Sequence, residues 1–280
     1  MSICRFRNPR ARVFSRLAFQ NRMNAVWFNG QKNEAQSQCL GGYAAAYLVY
    51  NNVLGRTVPV SWLAYILATT YHETATTMQP IAEYGKGAGY PYGVPDPVTG
   101  QTYYGRGYVQ LTWKDNYLKA QNEVVNFNTW EHDVDLVNNP DLALVPWVAA
   151  QVAINGMAGG WFTGKKLSDY LTPTSTNYYD ARRIINGTDK ASTIEAEAEE
   201  CEAALRLAHG EGIERSLVQM GSKGDDVREL QLMLKLFPDG VAGADTTNTI
   251  ITFQQQQGLS ADGICGNDTW NALDRVVYNL

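Results

Sequence analysis

The stretch Trp62-Leu63-Ala64-Tyr65-Ile66-Leu67-Ala68-Thr69-Thr70-Tyr71-His72-Glu73-Thr74 sets the reading of the chain. Trp62, Leu63, Ile66, Leu67 and Thr70 recur at helical spacing, so the segment predicts a helix with one side in a core. Pro59 precedes it, Ser61 stands where a cap belongs, and Val60 with Tyr65 has the spacing of a hydrophobic staple. This helix carries Glu73 at its C-terminal end. The helix dipole puts partial negative charge there, which disfavours a second negative charge and suits a group that must give up a proton. An isolated Glu at a helix end is ordinarily a solvated surface acid, so the neighbours of Glu73 decide its meaning.

The first neighbour is a second acid, Glu83, ten positions on. From Tyr84 to Tyr104 the chain has five Gly, three Pro and five Tyr in 21 residues, which excludes regular helix or strand. A loop this long and aromatic either carries function or covers a core. In Tyr103-Tyr104-Gly105-Arg106-Gly107-Tyr108-Val109-Gln110-Leu111-Thr112-Trp113, Val109, Leu111 and Trp113 alternate with Gln110 and Thr112. That alternation predicts one short strand with the amide and the hydroxyl on its polar face. Thr112 also opens a Thr-x-x-Asp pattern, so helix capping is a second reading of the same residue. Cleaving a glycosidic bond with inversion would use one carboxyl group as acid on the leaving oxygen and one as base on water, roughly 6.5 to 9.5 Å apart. One acid at a helix end and another ten residues on, in a flexible segment, can span that gap, but the spacing does not set the stereochemistry.

Working outward, Gln31 to Tyr50 predicts a helix with Leu40, Tyr43, Tyr47 and Leu48 available to a core, ended by Gly55. A proline-punctuated stretch follows at Leu136 to Leu144, then a helix over Trp147 to Met157 that stops at Gly159-Gly160. Ser192 with Glu195 makes a capping box for a helix reaching His209. Gly210-Glu211-Gly212 marks a domain boundary. Beyond it, Asp239-Gly240-Val241-Ala242-Gly243-Ala244-Asp245-Thr246 recurs as Asp262-Gly263-Ile264-Cys265-Gly266-Asn267-Asp268-Thr269, a repeat of period 23. Each copy is a glycine turn and a helix start, leading to Ile250 and Phe253 or to Trp270 and Leu273. With an earlier helix through Val227, Leu230, Leu234 and Phe237, a three-helix module is expected. The Asp-Gly turns lack the acid spacing of an EF-hand, so they read as turn chemistry.

Composition bounds the remaining choices. The 280 residues are 45% hydrophobic and 18% charged, an ordinary globular composition able to bury a core. Sixteen Tyr and seven Trp serve equally as core or as sugar platforms. The four Cys (Cys4, Cys39, Cys201, Cys265) and three His (His72, His132, His209) show no ligand spacing, so no metal is expected. The cysteines are read as buried thiols in a reducing cytoplasm. A net charge of −5 argues against nucleic acid. Arg5, Arg7, Arg10, Arg12, Arg16 and Arg22 precede any acid, and no apolar h-region of a secretory signal accompanies them. They are read either as an arm for an anionic outer-membrane surface or as the solvated face of a first helix with Val13, Leu17 and Phe19 inward.

The motifs His72-Glu73-Thr74, Glu83, Tyr103 to Trp113 with Asn116-Tyr117, and Arg183-Ile184-Ile185-Asn186-Gly187 together resemble glycoside hydrolase family 19, in particular its lysozyme-like, phage endolysin type. The resemblance covers about Met23 to His209. It implies Glu73 as general acid, Glu83 as general base and Thr112 as the hydroxyl that holds the attacking water. Gln110, Asn116 and Asn186 match sugar-binding positions, and Tyr104 and Arg106 are carried with them as substrate-binding candidates. In plant members an Arg soon after Ile-Ile-Asn-Gly pairs near the acid; here that segment runs Glu195, Glu197, Glu199, Glu200 with no Arg until Arg206. Asn186-Gly187 also fits a helix C-cap.

The C-terminal segment, from Gly221-x-x-Gly-x-x-Val-x-x-Leu-Gln231 through Phe253-Gln254 and Gly258-Leu259 to Trp270, resembles a peptidoglycan-binding domain. The expected architecture is a mainly α (α+β lysozyme-like) catalytic domain plus a small three-helix binding domain. Its parts are a basic arm at 1–22, the hydrolase at 23–209, a linker at 210–217 and the binding domain at 218–280. The implied protein is a monomeric, cofactor-free bacteriolytic lysozyme (muramidase). It would be made in the cytoplasm without a signal peptide, and after release it would act on bacterial peptidoglycan. A chitinase, a non-catalytic wall-binding protein and an amidase or peptidase are the alternatives. A binding module on an insoluble polymer raises the effective concentration of the attached site.

Overall fold

The computed structural model describes residues 14–126, 128–129 and 131–280. In chain order these form α1 (Arg16–Phe28), α2 (Glu34–Asn52), α3 (Val60–Glu73), β1 (Ile81–Ala82), β2 (Arg106–Gly107), α4 (Lys114–Glu123) and α5 (Pro146–Gly159). There follow β3 (Leu171–Thr172), β4 (Ser175–Thr176), α6 (Tyr178–Ala181), α7 (Ala191–Ala208), α8 (Asp225–Met233), α9 (Ala244–Gln256) and α10 (Asn267–Leu273). Helix dominates and the strands are two short antiparallel pairs, the mainly α architecture expected from the sequence. No helix among the described residues is long and apolar enough to cross a membrane. The chain divides into two compact units, residues 33–202 and residues 1–32 with 203–280.

In the unit 33–202, α2 opens with a capping box. Asn33 Oδ1 accepts from the Gln36 amide and Gln36 Oε1 accepts from the Asn33 amide, both at 2.9 Å. α2 packs on α5, with Gly42 against the Pro146 backbone. α5 ends where the sequence placed its end, with Gly160 left-handed at φ 71°. α3 is buried from Leu63 to Thr70. Its N-cap is Pro59 without a side-chain bond, so Ser61 lies inside the helix and does not cap it. The Tyr43 hydroxyl and Thr70 Oγ1 are 2.6 Å apart, and the Tyr43 ring stacks on Tyr108 at 5.4 Å. Burial in this core pushes the Cys39 thiol up to about 12, which keeps it protonated and inert.

The other unit departs from the expected boundaries. Residues 16–28 are neither arm nor hydrolase: α1 packs against α8, and Ala18 shares a core with Val227, Leu230, Ile250, Trp270 and Leu273. Ser15 caps α1, accepting from the Ala18 amide at 3.3 Å. Phe19 turns inward as expected, whereas Leu17 is half exposed because it falls on the outer side of the helix. Val13, Arg5, Arg7, Arg10, Arg12 and Cys4 lie outside the described residues. Arg16 is exposed, but Arg22 is not free to meet a membrane surface. Its Nη1 donates to Asp226 at 2.6 Å and to Glu229 at 2.9 Å.

Glu229 is the centre of this unit. Its side chain is 0% exposed, and besides Arg22 it accepts from Arg215 Nη2 at 2.8 Å and Nε at 3.1 Å, and from the Tyr278 hydroxyl at 3.3 Å. Arg215 also pairs with Asp274 at 3.0 Å and lies over the Trp270 ring. The segment 210–217, expected as a linker, therefore contributes a buried residue to the unit.

The period-23 repeat is carried by one glutamine per copy. Gln231 Nε2 donates to Asp239 Oδ1 at 2.8 Å and to Thr246 Oγ1 at 3.2 Å, while its Oε1 accepts from the Gly240 amide at 2.8 Å. Gln254 makes the same three bonds to Asp262, Thr269 and Gly263 at 2.9, 3.1 and 3.0 Å. Each buried amide thus fixes the turn that starts the next helix, which satisfies the group that burial would otherwise penalise. The first helix ends at Met233, earlier than expected, so Phe237 is 74% exposed and outside the core.

Two stability outcomes follow. Replacing Glu229 by Leu leaves Arg215 without its buried carboxylate and should cost about 3–5 kcal/mol, read as faster hydrogen exchange of amides between 225 and 278. On α7, burial and then the neighbouring Glu200 push Glu197 up to about 7 from 4.5. A carboxyl raised in the folded state favours folding below its unfolded value and loses that contribution as pH rises through the folded value. Glu197→Gln should therefore raise the melting temperature at pH 8 and leave it nearly unchanged at pH 4.

Candidate active site

Glu73 is the last residue of α3, and the chain reverses directly after it. Thr74 Oγ1 donates back to the Thr70 carbonyl at 2.7 Å and accepts from the Met78 amide at 2.9 Å. Ala75, Thr76 and Met78 take left-handed φ of 48°, 64° and 52°, and the Met78 side chain is fully buried. The segment after Glu73 is thus a tight, anchored reversal. It feeds β1, which pairs with β2 in the register Ile81 with Gly107 and Ala82 with Arg106.

Glu83 follows β1 immediately. Its amide donates to the Gly105 carbonyl at 2.7 Å, and its carboxylate accepts from the Gly105 amide at 3.1 Å and from the Tyr92 hydroxyl at 3.1 Å. Desolvation and the bond to Glu83 push the Tyr92 phenol up, so it stays a donor. A Cβ at Gly105 would lie 2.6 Å from Gln110 Oε1, so a larger residue there would displace the end of the Gln110 side chain.

The strand expected over Val109 to Trp113 is absent. After β2, residues 108–110 form a turn with Gln110 at φ 55°, and Leu111 pairs back with Arg106 in an isolated bridge. Gln110 and Thr112 are held by the turn and not by the polar face of a strand. Gln110 Nε2 donates to the Ile81 carbonyl at 3.2 Å, beside Glu83. Thr112 Oγ1 donates to the Gln110 carbonyl at 2.8 Å, and Asn116 Nδ2 donates to the Thr112 carbonyl at 3.0 Å. Thr112 does not cap α4; Trp113 occupies that position with no side-chain bond. The structure therefore links Gln110, Thr112 and Asn116 through hydrogen bonds, and ties Gln110 to Ile81 in the strand that leads to Glu83.

Arg106 and Tyr104 are beneath this cluster, not on it. Arg106 is 3% exposed; Nε donates to Asp141 at 2.7 Å, and Nη1 to the Thr102 and Tyr104 carbonyls and the Tyr117 hydroxyl at 3.0, 3.3 and 3.1 Å. Its guanidinium also lies over the Tyr104 ring, 3.6 Å from the centroid. Both were carried as substrate-binding candidates, but both are buried and occupied by protein groups, so their part is to hold the loop that carries Gly105.

Glu73 is paired with an arginine upstream of the position to which the family pattern points. Arg182, one residue before the Arg183-Ile184-Ile185-Asn186-Gly187 motif, donates from Nη1 to Glu73 Oε1 at 2.6 Å and from Nε to the Asp189 carbonyl at 3.0 Å. The sequence signal for this contact is the Arg182-Arg183 pair, whereas the family pattern points downstream of the motif. Asn186 is exposed, with its amide on the Arg182 carbonyl at 3.0 Å and its Oδ1 accepting from the Gly187 amide at 2.9 Å. Gly187 is not left-handed, so the pair forms no helix C-cap. Among the described residues no group of three or more metal-ligating side chains occurs. The site is therefore two carboxyl groups on opposite ends of a short reversal, one against a guanidinium and one against a phenol and an amide.

Residues 223–273 match the family model "Putative peptidoglycan binding domain". Among solved structures, a peptidoglycan-binding protein from Clostridioides difficile, in complex with glutamine hydroxamate, is 36% identical over 23% of this chain and 44% of its own, with a TM-score of 0.22. The chain thus spans less than half of that protein. Chitinase C from Streptomyces griseus is 20% identical over 74% of this chain and 97% of its own, with a TM-score of 0.41. A bacterial family 19 chitinase is 22% identical over 72% and 98%, with a TM-score of 0.39. The residues matched to the family model fall within the segment 218–280 that the sequence marks as the C-terminal module.

Arg182→Lys keeps the charge but cannot serve Glu73 and the Asp189 carbonyl together, because lysine lacks the planar fork. The expected outcome is a melting temperature within a few degrees of the parent and glycan-hydrolysis kcat lower by roughly a hundredfold, the loss that about 1 Å of misplacement causes.

Proposed function

We propose that this chain is a cell-wall glycosidase of the family 19 type, which hydrolyses the β-1,4 bond between N-acetylmuramic acid and N-acetylglucosamine with inversion and without a cofactor. The observation that carries the reading is the pair of differently held carboxyl groups. Glu73 sits against a buried guanidinium, and Glu83 accepts from the Tyr92 hydroxyl and the Gly105 amide. The match of residues 223–273 to a peptidoglycan-binding domain supports the choice of polymer and action at the wall.

In this mechanism Glu73 gives its proton to the glycosidic oxygen as the C–O bond breaks. The negative charge it acquires is shared by both carboxylate oxygens, one of them 2.6 Å from Arg182, so the conjugate base is stabilised as it forms. Water attacks the anomeric carbon from the opposite face and passes a proton to Glu83. The Thr112 hydroxyl spends its hydrogen on the Gln110 carbonyl at 2.8 Å, which leaves its oxygen to accept from that water and aim it. Gln110, Asn116 and Asn186 remain the candidates for bonds to the sugar. The products are a new reducing end of inverted configuration and a shortened glycan.

The test is mass spectrometry of purified peptidoglycan digested by the parent and by Glu73→Gln. Reducing-end N-acetylmuramic acid from the parent, and at least a thousandfold less from the variant, is the expected result. New amino groups without reducing sugars would make the chain an amidase or peptidase. Cleavage of chitin alone would make it a chitinase, and wall binding without products would make it a non-catalytic binding protein.

A further inference from the structure

The loop between Glu83 and Tyr104 is built to present rings. Gly87 is left-handed at φ 75°, and a Cβ on Gly93 would fall 2.0 Å from the Gly87 carbonyl oxygen, so the loop folds back on itself only with glycine at both places. The Tyr90 amide donates to the Gly87 carbonyl at 2.9 Å and the Tyr103 amide to the Tyr92 carbonyl at 2.9 Å, which fixes the fold-back from both sides. The Tyr90 and Tyr92 rings consequently lie parallel, 5.1 Å apart with 5° between their planes. Trp113 meets Tyr92 edge-on at 5.0 Å and 83°.

Trp113 reaches that place at a conformational cost. Its φ of 74° and ψ of 135° belong to a region that a residue with a Cβ seldom occupies. Donation of its amide to the Tyr103 carbonyl at 2.9 Å, and of the Asn116 amide to its own carbonyl at 3.0 Å, hold it there. Rings of this size ordinarily go inward, yet Tyr90 is 56% and Trp113 50% exposed. The third ring, Tyr92, is the one whose hydroxyl donates to Glu83 at 3.1 Å. An exposed aromatic surface beside a catalytic base matches the C–H face of a pyranose, which is apolar while its rim is polar.

We propose that Tyr90, Tyr92 and Trp113 form a shelf for one N-acetylhexosamine ring of the glycan strand, and that Tyr92 is a positioning residue that couples this ring to Glu83. The proposal rests on the glycosidase reading of the site. It assigns separable effects to the three side chains. Trp113 and Tyr90 supply binding surface alone, whereas the Tyr92 hydroxyl orients the base.

The experiment uses the full chain in two arms. In the first, Glu73→Gln is titrated calorimetrically with a soluble N-acetylglucosamine tetramer and with a glycan-strand tetramer, alone and combined with Trp113→Ala, Tyr90→Ala or Trp113→Phe. The alanine variants should bind the preferred tetramer roughly fivefold to tenfold more weakly, and Trp113→Phe should stay within about twofold. In the second arm, Tyr92→Phe in the otherwise unaltered enzyme should lower kcat roughly tenfold with KM unchanged, and Trp113→Ala should raise KM with kcat unchanged. Unaltered affinity in both alanine variants, or equal loss of kcat and KM effects in all, would overturn the shelf while leaving the glycosidase reading intact. Failure of Glu73→Gln itself to bind either tetramer would overturn the glycosidase reading and the shelf with it.

Discussion

The buried guanidinium of Arg106 is the constraint on which the candidate site depends. Four protein groups accept from it, at Thr102, Tyr104, Tyr117 and Asp141, and a tyrosine ring covers its face. A charge this deeply placed is tolerated only when its donors are used, and using them ties the end of the long loop to α4 and to the Pro140–Leu144 turn. The loop end so fixed contains Gly105, whose amide and carbonyl hold Glu83. The chemistry therefore sits one residue away from a structural charge. The loop itself, which has only the Pro91–Gly93 turn of regular structure, inherits its order from that anchor.

The unit made of residues 1–32 and 203–280 solves a different problem by similar means. A module of three short helices has little core of its own, and the α1 helix from the other end of the chain enlarges it. Glu229 joins α1, the segment before α8 and the chain's last turn through three donors from Arg22, Arg215 and Tyr278. The two glutamines do the local work of starting helices at the repeat turns.

What the sequence made legible was periodic or repeated. α2, α3, α5 and α7 were visible because apolar spacing and glycine stops are local properties, and the 23-residue repeat was visible because its turns recur residue for residue. The mainly helical class followed from these. What stayed hidden depended on partners far away in the chain. Alternation at 109–113 suggested a strand, but closure of Leu111 onto Arg106 and the positive φ of Gln110 and Trp113 turn it into a tight loop. Ser61 looked like a cap, yet the helix begins at Val60. The Arg22 guanidinium looked like part of a basic arm because its two acids lie more than 200 positions on. Of the proposed site, the two acids, Gln110, Thr112 and Asn116 were read from motifs, whereas the contacts of Tyr92 and Arg182 with the acids show only in the structure. Their roles come from hydrogen bonds that no spacing rule encodes.

The position of α1 has a consequence for how the molecule comes into being. Contacts within the repeats join residues 8 to 15 positions apart, so each turn and its helix can form as soon as they are made. The contact of Arg22 with Glu229 spans 207 positions, and that of Ser15 with Tyr278 spans 263. During synthesis α1 is therefore made well before the residues it packs against. Its buried side, with Phe19 and Met23, must wait uncovered while the residues between them are produced. A ribosome that stops before Glu229 leaves its damage some two hundred positions upstream, where a helix has been made and its seat has not.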